Sequence, residues 1–132
     1  MKTYLSIAVG TVLAFMLGWV WYGMLFQSQW LAAVGLTMDD TGSEMQIGAM
    51  LVPLIAWLIA AGCFHSIAHM ANVSALQGNV KLAVLCWLGF SAPATLFSTY
   101  FGMRGSDLYW IDGLYLLCGV LLIALARTFI RR

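Results

Sequence analysis

Four long apolar runs constrain the fold of this chain more than any other feature of its sequence. They cover residues 4–26, 45–71, 80–102 and 108–129, and each reaches the roughly 20 mostly apolar residues that a bilayer-spanning helix requires. Of the 132 residues, 63% are hydrophobic and 8% are charged, whereas soluble domains carry about 25% charged residues. The sequence therefore predicts a single all-α domain over residues 1–132, in which four transmembrane helices pack as an antiparallel bundle.

The basic residues are distributed unevenly between the two ends of such a bundle. Arg104 falls at one end, and the other five lie at the opposite end: Lys2, Lys81, Arg127, Arg131 and Arg132. Because cytoplasmic loops are enriched in Lys and Arg, we expect a multi-pass protein of the inner cell membrane with both termini in the cytoplasm. The first run starts after Lys2 but lacks a small-x-small cleavage site, so we interpret it as a helix and not as a signal peptide.

Composition and motifs also limit the classes of function. The net charge of +1 provides no basic patch that could neutralise phosphates, so we expect the lipid bilayer as a partner and no nucleic acid. The sequence contains no hydrolase elbow, no phosphate-binding glycine loop and no zinc-protease motif. We therefore expect no catalytic residues and no cofactor, and the sequence favours a non-enzymatic role.

Small residues recur every four positions along the first helix. They are Ser6, Gly10, Ala14 and Gly18. Such a stripe lets helix backbones approach closely in lipid, where packing rather than a hydrophobic driving force holds helices together. The stripe predicts either packing inside the monomer or an interface with a second copy or another membrane subunit.

Aromatic and charged residues gather at the end of the bundle that carries Arg104. We expect Trp21, Tyr22 and Trp30 to form a lid there together with Arg104 and two acids, Asp107 and Asp112. An ion pair between Arg104 and one of these acids is the expected structural role, although an ionisable residue inside a membrane segment is also a functional candidate. The aromatic rings fit a belt at headgroup depth, and a ligand-stacking pocket is the alternative.

Local signals predict how the helices connect and bend. Residues 27–35 are predicted to form a short helix in the membrane interface. The segment Thr41–Glu44 is typical of a capping box, and Ser106 is expected to cap the fourth spanning helix. Pro53 and Pro93 lie within helices and predict kinks, which nearby Ser and Thr hydroxyls can accommodate. Broken helices also occur at transport sites.

Two histidines and a cysteine are candidate metal ligands. His65 and His69 are four residues apart, which places both imidazoles on one helix face. Cys86 lies at a compatible depth in the third helix. The alternative is that both histidines are satisfied by water and headgroups near the interface, and we expect no metal.

Three stretches carry aromatic and small residues in a characteristic order. They are Gly18–Phe26 followed by Trp30, then Trp87–Phe90, and then Trp110–Tyr115. In these stretches the chain resembles the bacterial family called domain of unknown function 1761, whose first helix ends in a Gly-x-x-Trp-Tyr-x-x-x-Phe pattern. The resemblance implies a small four-helix membrane protein. It implies no activity, and no site residues can be transferred from it.

Three hypotheses of function follow. The leading one is association, as a homo-oligomer or as an accessory subunit of a larger membrane complex, because the small-residue stripe is the clearest pattern. The second is a small transporter or channel, although the first helix lacks the membrane-embedded glutamate of four-helix multidrug exporters. The third is a membrane redox or metal protein that uses His65 and His69.

Overall fold

The computed structural model describes residues 1–37, 39 and 43–131, and the side chains of these residues outside 43–49. Its helical elements, in chain order, are α1 (Lys2–Val20), a π-helical turn (Trp21–Leu25), α2 (Gln27–Val34), α3 (Ser43–Met70), α4 (Leu76–Cys86), a second π-helical turn (Trp87–Ser91), α5 (Ala92–Phe101) and α6 (Asp107–Ile130).

Within these ranges, four segments are long and apolar enough to cross a membrane. They are Lys2–Leu25, Met50–Met70, Leu76–Phe101 and Asp107–Ile130. The predicted all-α fold with four candidate transmembrane helices is thereby confirmed. The third segment begins at Leu76, earlier than residue 80, because helix α4 starts with the polar stretch Gln77–Asn79 before the apolar run begins.

Helix α6 lies at the centre of the bundle. Helix α1 packs along it, α4 and α5 also pack on it, and α3 packs mainly on α1. The buried core between these helices consists of Ala14, Trp57, Ala61, Phe64, Ala83, Tyr115, Ile123 and Ala124. Many large apolar side chains point outward instead, as Ile59 and Phe97 do with 60% and 63% of their surface exposed. An apolar exterior suits a lipid surrounding, since lipid tails are as apolar as the side chains themselves.

The π-helical turn Trp87–Ser91 joins α4 to α5 directly before Pro93. Proline has no N–H to bond the carbonyl one turn earlier, so a regular α-helix is interrupted there. Helices commonly kink at prolines and at π-helical turns, and this span contains both within a few residues of each other. Thr95 Oγ1 donates a hydrogen bond to the Ser91 carbonyl at 2.7 Å, so one hydroxyl near Pro93 bonds the backbone. The carbonyl that lacks its helical donor because of Pro93 is that of Gly89, four residues before the proline.

Helix α2 is the short helix predicted between the first two spans. It ends at Gly35, whose φ of 73° lies in the left-handed region that glycine adopts without strain. Leu31 is 7% exposed, and Gly105 N donates to Ala33 O at 3.4 Å. Helix α2 therefore lies against the turn that leads into α6.

The two predicted helix caps have different outcomes. The capping box at Thr41–Glu44 lies outside the residues whose side chains are described. The prediction for Ser106 is wrong, because this residue precedes α6 without a side-chain capping hydrogen bond. Its φ of −57° and ψ of −24° are already helical, whereas a capping side chain needs an extended backbone at that position. Asp107 lies in the first turn of α6, where a negative charge is favourable.

Candidate functional site

A cavity of about 870 Å³ opens in the half of the bundle that contains α2, which we call the α2 end. It is lined by residues of α1, α3, α5, α6 and the two π-helical turns, with Trp30 contributed by α2. The cavity is partly open, since Trp19 and Phe90 in its lining are 60% and 75% exposed. Its aromatic lining consists of Phe15, Trp19, Tyr22, Trp30, Phe90 and Tyr115. Pockets for small molecules usually have volumes of roughly 300–1,000 Å³ and mostly apolar walls with few polar groups. In size and lining, this cavity falls in that class.

One wall of the cavity carries hydroxyl groups from a single helix face. Ser91, Thr95, Ser98 and Thr99 all line it from α5 and the preceding turn. They share a face because residues four positions apart lie one above the other on a helix. Thr95 and Thr99 are each 8% exposed, so their hydroxyls lie inside the protein, whereas Ser98 is exposed and Ser91 is half-buried.

Asp112 is the only charged side chain among the described residues that line the cavity. It lies in the second turn of α6, inside the candidate membrane segment. Tyr22 Oη donates a hydrogen bond to Asp112 Oδ1 at 2.6 Å, which leaves Oδ2 available to a further donor. A carboxylate in an apolar, aromatic cavity gives the site a negative potential and an acceptor for a cationic group.

Tyr115 forms the base of the cavity. Trp57 Nε1 donates a hydrogen bond to its hydroxyl oxygen at 2.6 Å, and the Tyr22 ring packs edge-on against it with centroids 5.0 Å apart. A Cβ at position 18 would lie 2.8 Å from Tyr115 Oη, so glycine at this position leaves room for the hydroxyl. The base of the cavity is therefore fixed by contacts from α1, α3 and α6.

The small-residue stripe of α1 lies inside the chain, against α6 and α3. A Cβ at Gly10 would lie 3.2 Å from the Cα of Ile123, and Gly18 faces Tyr115. Ala14 is fully buried, and Ser6 Oγ lies 2.7 Å from His65 Nε2 in a buried hydrogen bond. Close packing within the monomer is the role of the stripe that the structure describes.

Of the predicted lid, the rings of Tyr22 and Trp30 meet, Trp21 bonds α6 instead, and the predicted ion pair of Arg104 with Asp107 or Asp112 is not formed. Trp21 Nε1 donates to Ile111 O at 3.0 Å, and the rings of Tyr22 and Trp30 pack edge-on with centroids 5.8 Å apart. Arg104 is exposed in the turn before α6, and Asp107 is exposed at the start of α6. Asp112 bonds Tyr22 in place of Arg104, because the carboxylate points into the bundle and the guanidinium stays outside it.

The candidate metal ligands are not brought together. His65 Nδ1 lies 2.9 Å from Ala61 O, and its Nε2 bonds Ser6, so both ring nitrogens are engaged. His69 is exposed and Cys86 is half-buried. Across the described ranges, no group of three His, Cys, Asp or Glu side chains could hold a metal ion. The predicted pair of His65 and His69, with Cys86, therefore does not form a common ligand cluster in the described part of the chain.

The sequence does not predict several residues of the cavity or the residue that bonds its base. Trp57 and Tyr115 are surrounded in sequence by apolar residues. Nothing in these neighbours shows whether the ring N–H and the hydroxyl are buried in the bundle or lie at headgroup depth, as they do in an aromatic belt. Ser91, Thr95 and Thr99 follow one another at four-residue spacing, a pattern that the sequence alone explains equally well as compensation for Pro93. Hydroxyls on one face of an apolar helix were the signal that could have indicated the cavity wall.

The fold and this cavity define the class: a polytopic membrane protein with four candidate spanning helices and a half-buried carboxylate near one end. The model of the family described as "Protein of unknown function (DUF1761)" matches residues 5–128. The chain therefore belongs to the DUF1761 family, as its aromatic motifs suggested. No curated protein and no solved structure is detectably similar to it.

Proposed function

We propose that this protein is a small transporter that takes an organic cation into the α2-end cavity. The observation that carries the proposal is the single carboxylate, Asp112, placed among aromatic rings in a cavity of ligand size. Quaternary ammonium groups are bound by aromatic faces within about 6 Å of the charge. A cation in the cavity would contact the Tyr22 and Tyr115 rings and take Asp112 Oδ2 as its counter-charge.

The remainder of the bundle supports a transporter that is loaded from the α2 end. Between the cavity and the opposite end, the interior is filled by Phe64, Ala61 and Ile123, which are 3%, 0% and 0% exposed. A ligand in the cavity would therefore have no open path past this core, and transport would require the core to separate. Alternating exposure of one site to the two sides is the general scheme of secondary transporters.

We also propose the orientation of the chain in the inner cell membrane. Lys2, Lys81, Arg127 and Arg131 gather at the end opposite α2, which fits the cytoplasmic side. The cavity then loads from outside the cell, and both termini lie in the cytoplasm. A reporter that is active only after export, fused after residue 132, should stay inactive; activity of that fusion would reverse the orientation.

Equilibrium binding of benzyltrimethylammonium, a permanently charged aromatic cation, tests the proposal. The purified protein in detergent should bind the radiolabelled cation in dialysis, and neopentylbenzene, its uncharged isostere, should compete poorly. Asp112→Asn keeps an acceptor for Tyr22 but removes the charge, and it should weaken binding at least about tenfold, or ~1.4 kcal/mol.

Asp107→Asn is the matched control for this experiment. Asp107 lies five residues earlier on the same helix, is exposed and does not line the cavity. Its substitution should leave binding unchanged. Equal binding by the wild type and Asp112→Asn, or equal competition by the neutral isostere, would remove the basis for a cation site.

Association is the second candidate function, and a different surface now favours it. On the outward face of α3, Cys63 and Ser66 are exposed, and a Cβ at Gly62 would meet no atom within 4 Å. Gly62 and Ser66 form a small-xxx-small pair of the kind that lets membrane helices approach. We propose this face, in place of the buried α1 stripe, as the surface that contacts a second copy or another membrane subunit.

Crosslinking through Cys63 tests this second candidate. Cys86→Ser and Cys118→Ser leave Cys63 as the single thiol, and oxidation in native membranes should then yield a covalent dimer. Gly62→Leu should abolish the dimer without unfolding the monomer, because the position is open, and Gly89→Leu at a similarly open glycine is the control. A dimer that persists in Gly62→Leu places the contact elsewhere.

A further inference from the structure

A second cavity, of about 360 Å³, lies at the end of the bundle opposite α2. It is formed where the turn between α3 and α4 meets the last turns of α6. Its polar lining includes His69, Ser74, Arg127, Thr128 and Arg131. None of these residues lines the cavity that contains Asp112, so the two cavities are separate sites.

Arg127 is a buried cation in the wall of this second cavity. It is 4% exposed, and its Nη1 donates to Val73 O at 2.7 Å and to Asn79 Oδ1 at 2.8 Å. Both acceptors are neutral. The Nε atom is buried and has no hydrogen-bond partner. A buried charge is strongly unfavourable unless it is paired and its donors are bonded. Among the described residues, no acid contacts this guanidinium.

The surrounding turn is built to hold Arg127 in place. Asn79 is fully buried, and its amide nitrogen donates to Ser74 O, Ala75 O and Thr128 Oγ1 at 3.1–3.2 Å. These bonds fix the amide so that its carbonyl oxygen faces the guanidinium. The guanidinium is thus held by two fixed neutral acceptors, Val73 O and Asn79 Oδ1, and neither of them balances its charge.

The described carboxylates cannot supply the counter-charge. Asp107 and Asp112 lie in the first two turns of α6, four or more turns away from Arg127 at 1.5 Å rise per residue. Asp39 follows α2 at the other end of the bundle. Arg131 adds a second guanidinium to the same cavity. Two arginines therefore share a small cavity in which no described acid is present.

We propose that this cavity binds the phosphate group of an anionic ligand between Arg127 and Arg131. Nε and Nη2 form one of the two edges on which a guanidinium holds an oxyanion with two parallel hydrogen bonds. This edge carries the unpartnered Nε of Arg127. Since Nε is covered, the bidentate contact needs a small rotation of the side chain. Ser74 and Thr128 place hydroxyl groups beside the same space.

The phosphate could belong to an acidic phospholipid or to a soluble anion, and the experiment separates these sources. The full chain with a C-terminal affinity tag is purified in detergent, and its thermal unfolding is followed with three additions: dioctanoyl phosphatidylglycerol, dioctanoyl phosphatidylcholine and inorganic phosphate. A ligand that binds the folded state raises the unfolding temperature by mass action. We expect a rise with phosphatidylglycerol, with inorganic phosphate, or with both, and a smaller one or none with zwitterionic phosphatidylcholine.

Two arginine variants make the test specific. Arg131→Gln should weaken binding about fivefold, the effect of removing one basic residue near an anionic headgroup. Arg131 is exposed, so this variant should fold. Arg104→Gln, an exposed arginine at the opposite end, should bind as the wild type does. Arg127→Gln, where it folds, should lose the stabilisation entirely.

Three results would overturn the phosphate site. They are no rise with any addition, an equal rise with phosphatidylcholine and phosphatidylglycerol, and equal affinities of Arg131→Gln and the wild type. Should Arg127→Gln fail to fold, the comparison of Arg131→Gln with Arg104→Gln decides the outcome on its own.

Discussion

Trp57 can occupy the centre of the bundle only because position 119 has no side chain. A Cβ at Gly119 would overlap Cη2 and Cζ2 of the Trp57 indole and would lie 2.8 Å from its Cζ3. These are ring atoms of a 6% exposed side chain, so the ring can move only by displacing its neighbours. Gly119→Ala should therefore push Trp57 out of its hydrogen bond to Tyr115.

The expected destabilisation follows from three contributions. Forcing an extra carbon into a packed core costs about 1–3 kcal/mol, and losing the hydrogen bond from Trp57 Nε1 costs about 0.5–1.5 kcal/mol. Replacing glycine by alanine within a helix returns up to about 1 kcal/mol. The net free energy of unfolding should fall by about 2 kcal/mol.

Reversible unfolding in mixed micelles, with increasing SDS and helix content as the readout, measures this change. Gly62→Ala is the matched control, because its Cβ would meet no atom within 4 Å; it should be as stable as the wild type or slightly more stable. If Gly119→Ala is as stable as Gly62→Ala, the packing of Trp57 against Gly119 is not as described.

Three further substitutions probe single contacts. Tyr22→Phe removes the hydroxyl that donates to Asp112 and should change the affinity for benzyltrimethylammonium in dialysis while the helix content is retained; unchanged affinity would mean that Tyr22 does not position the carboxylate. Ser6→Ala leaves His65 Nε2 without its partner and should lower the free energy of unfolding by about 1–3 kcal/mol in an SDS titration. Ser66→Ala is the control and should have a smaller effect, because the Ser66 hydroxyl bonds only a carbonyl of its own helix. Trp30→Ala should remove the packing against Tyr22 and speed amide exchange over residues 27–37; unchanged exchange would show that α2 is ordered by other contacts.

The fold could be predicted because span length and apolarity are local properties of sequence. Each apolar run had to be a helix, since in lipid every backbone donor needs a partner within its own segment. The starts of the spans were less predictable, because helix α4 continues into the polar stretch Gln77–Asn79. The sequence does not reveal whether polar residues that flank an apolar run belong to the helix or to the preceding turn.

The candidate site was less predictable because its contacts join distant parts of the chain. Asp112 and Tyr22 are 90 residues apart, and Arg104, nearer in sequence, was the more obvious partner. From the sequence, Arg127 indicates only the orientation of the chain, because a positive charge near the end of a span fits the cytoplasmic side whether it is exposed or buried. Its burial depends on Asn79 and Val73, which belong to another helix and its turn.

The most direct test of the proposed function is uptake of benzyltrimethylammonium into proteoliposomes. A permanent charge prevents this cation from crossing lipid readily, so uptake above that of protein-free liposomes reports on the protein. Driven by an inside-negative potential, the radiolabelled cation should accumulate in vesicles that carry the wild type or Asp107→Asn. Asp112→Asn should reduce the initial rate of uptake at least about tenfold, because the cation loses its counter-charge in the cavity. Uptake that is the same with the wild type, with Asp112→Asn and with empty liposomes would contradict a cation transporter built on Asp112.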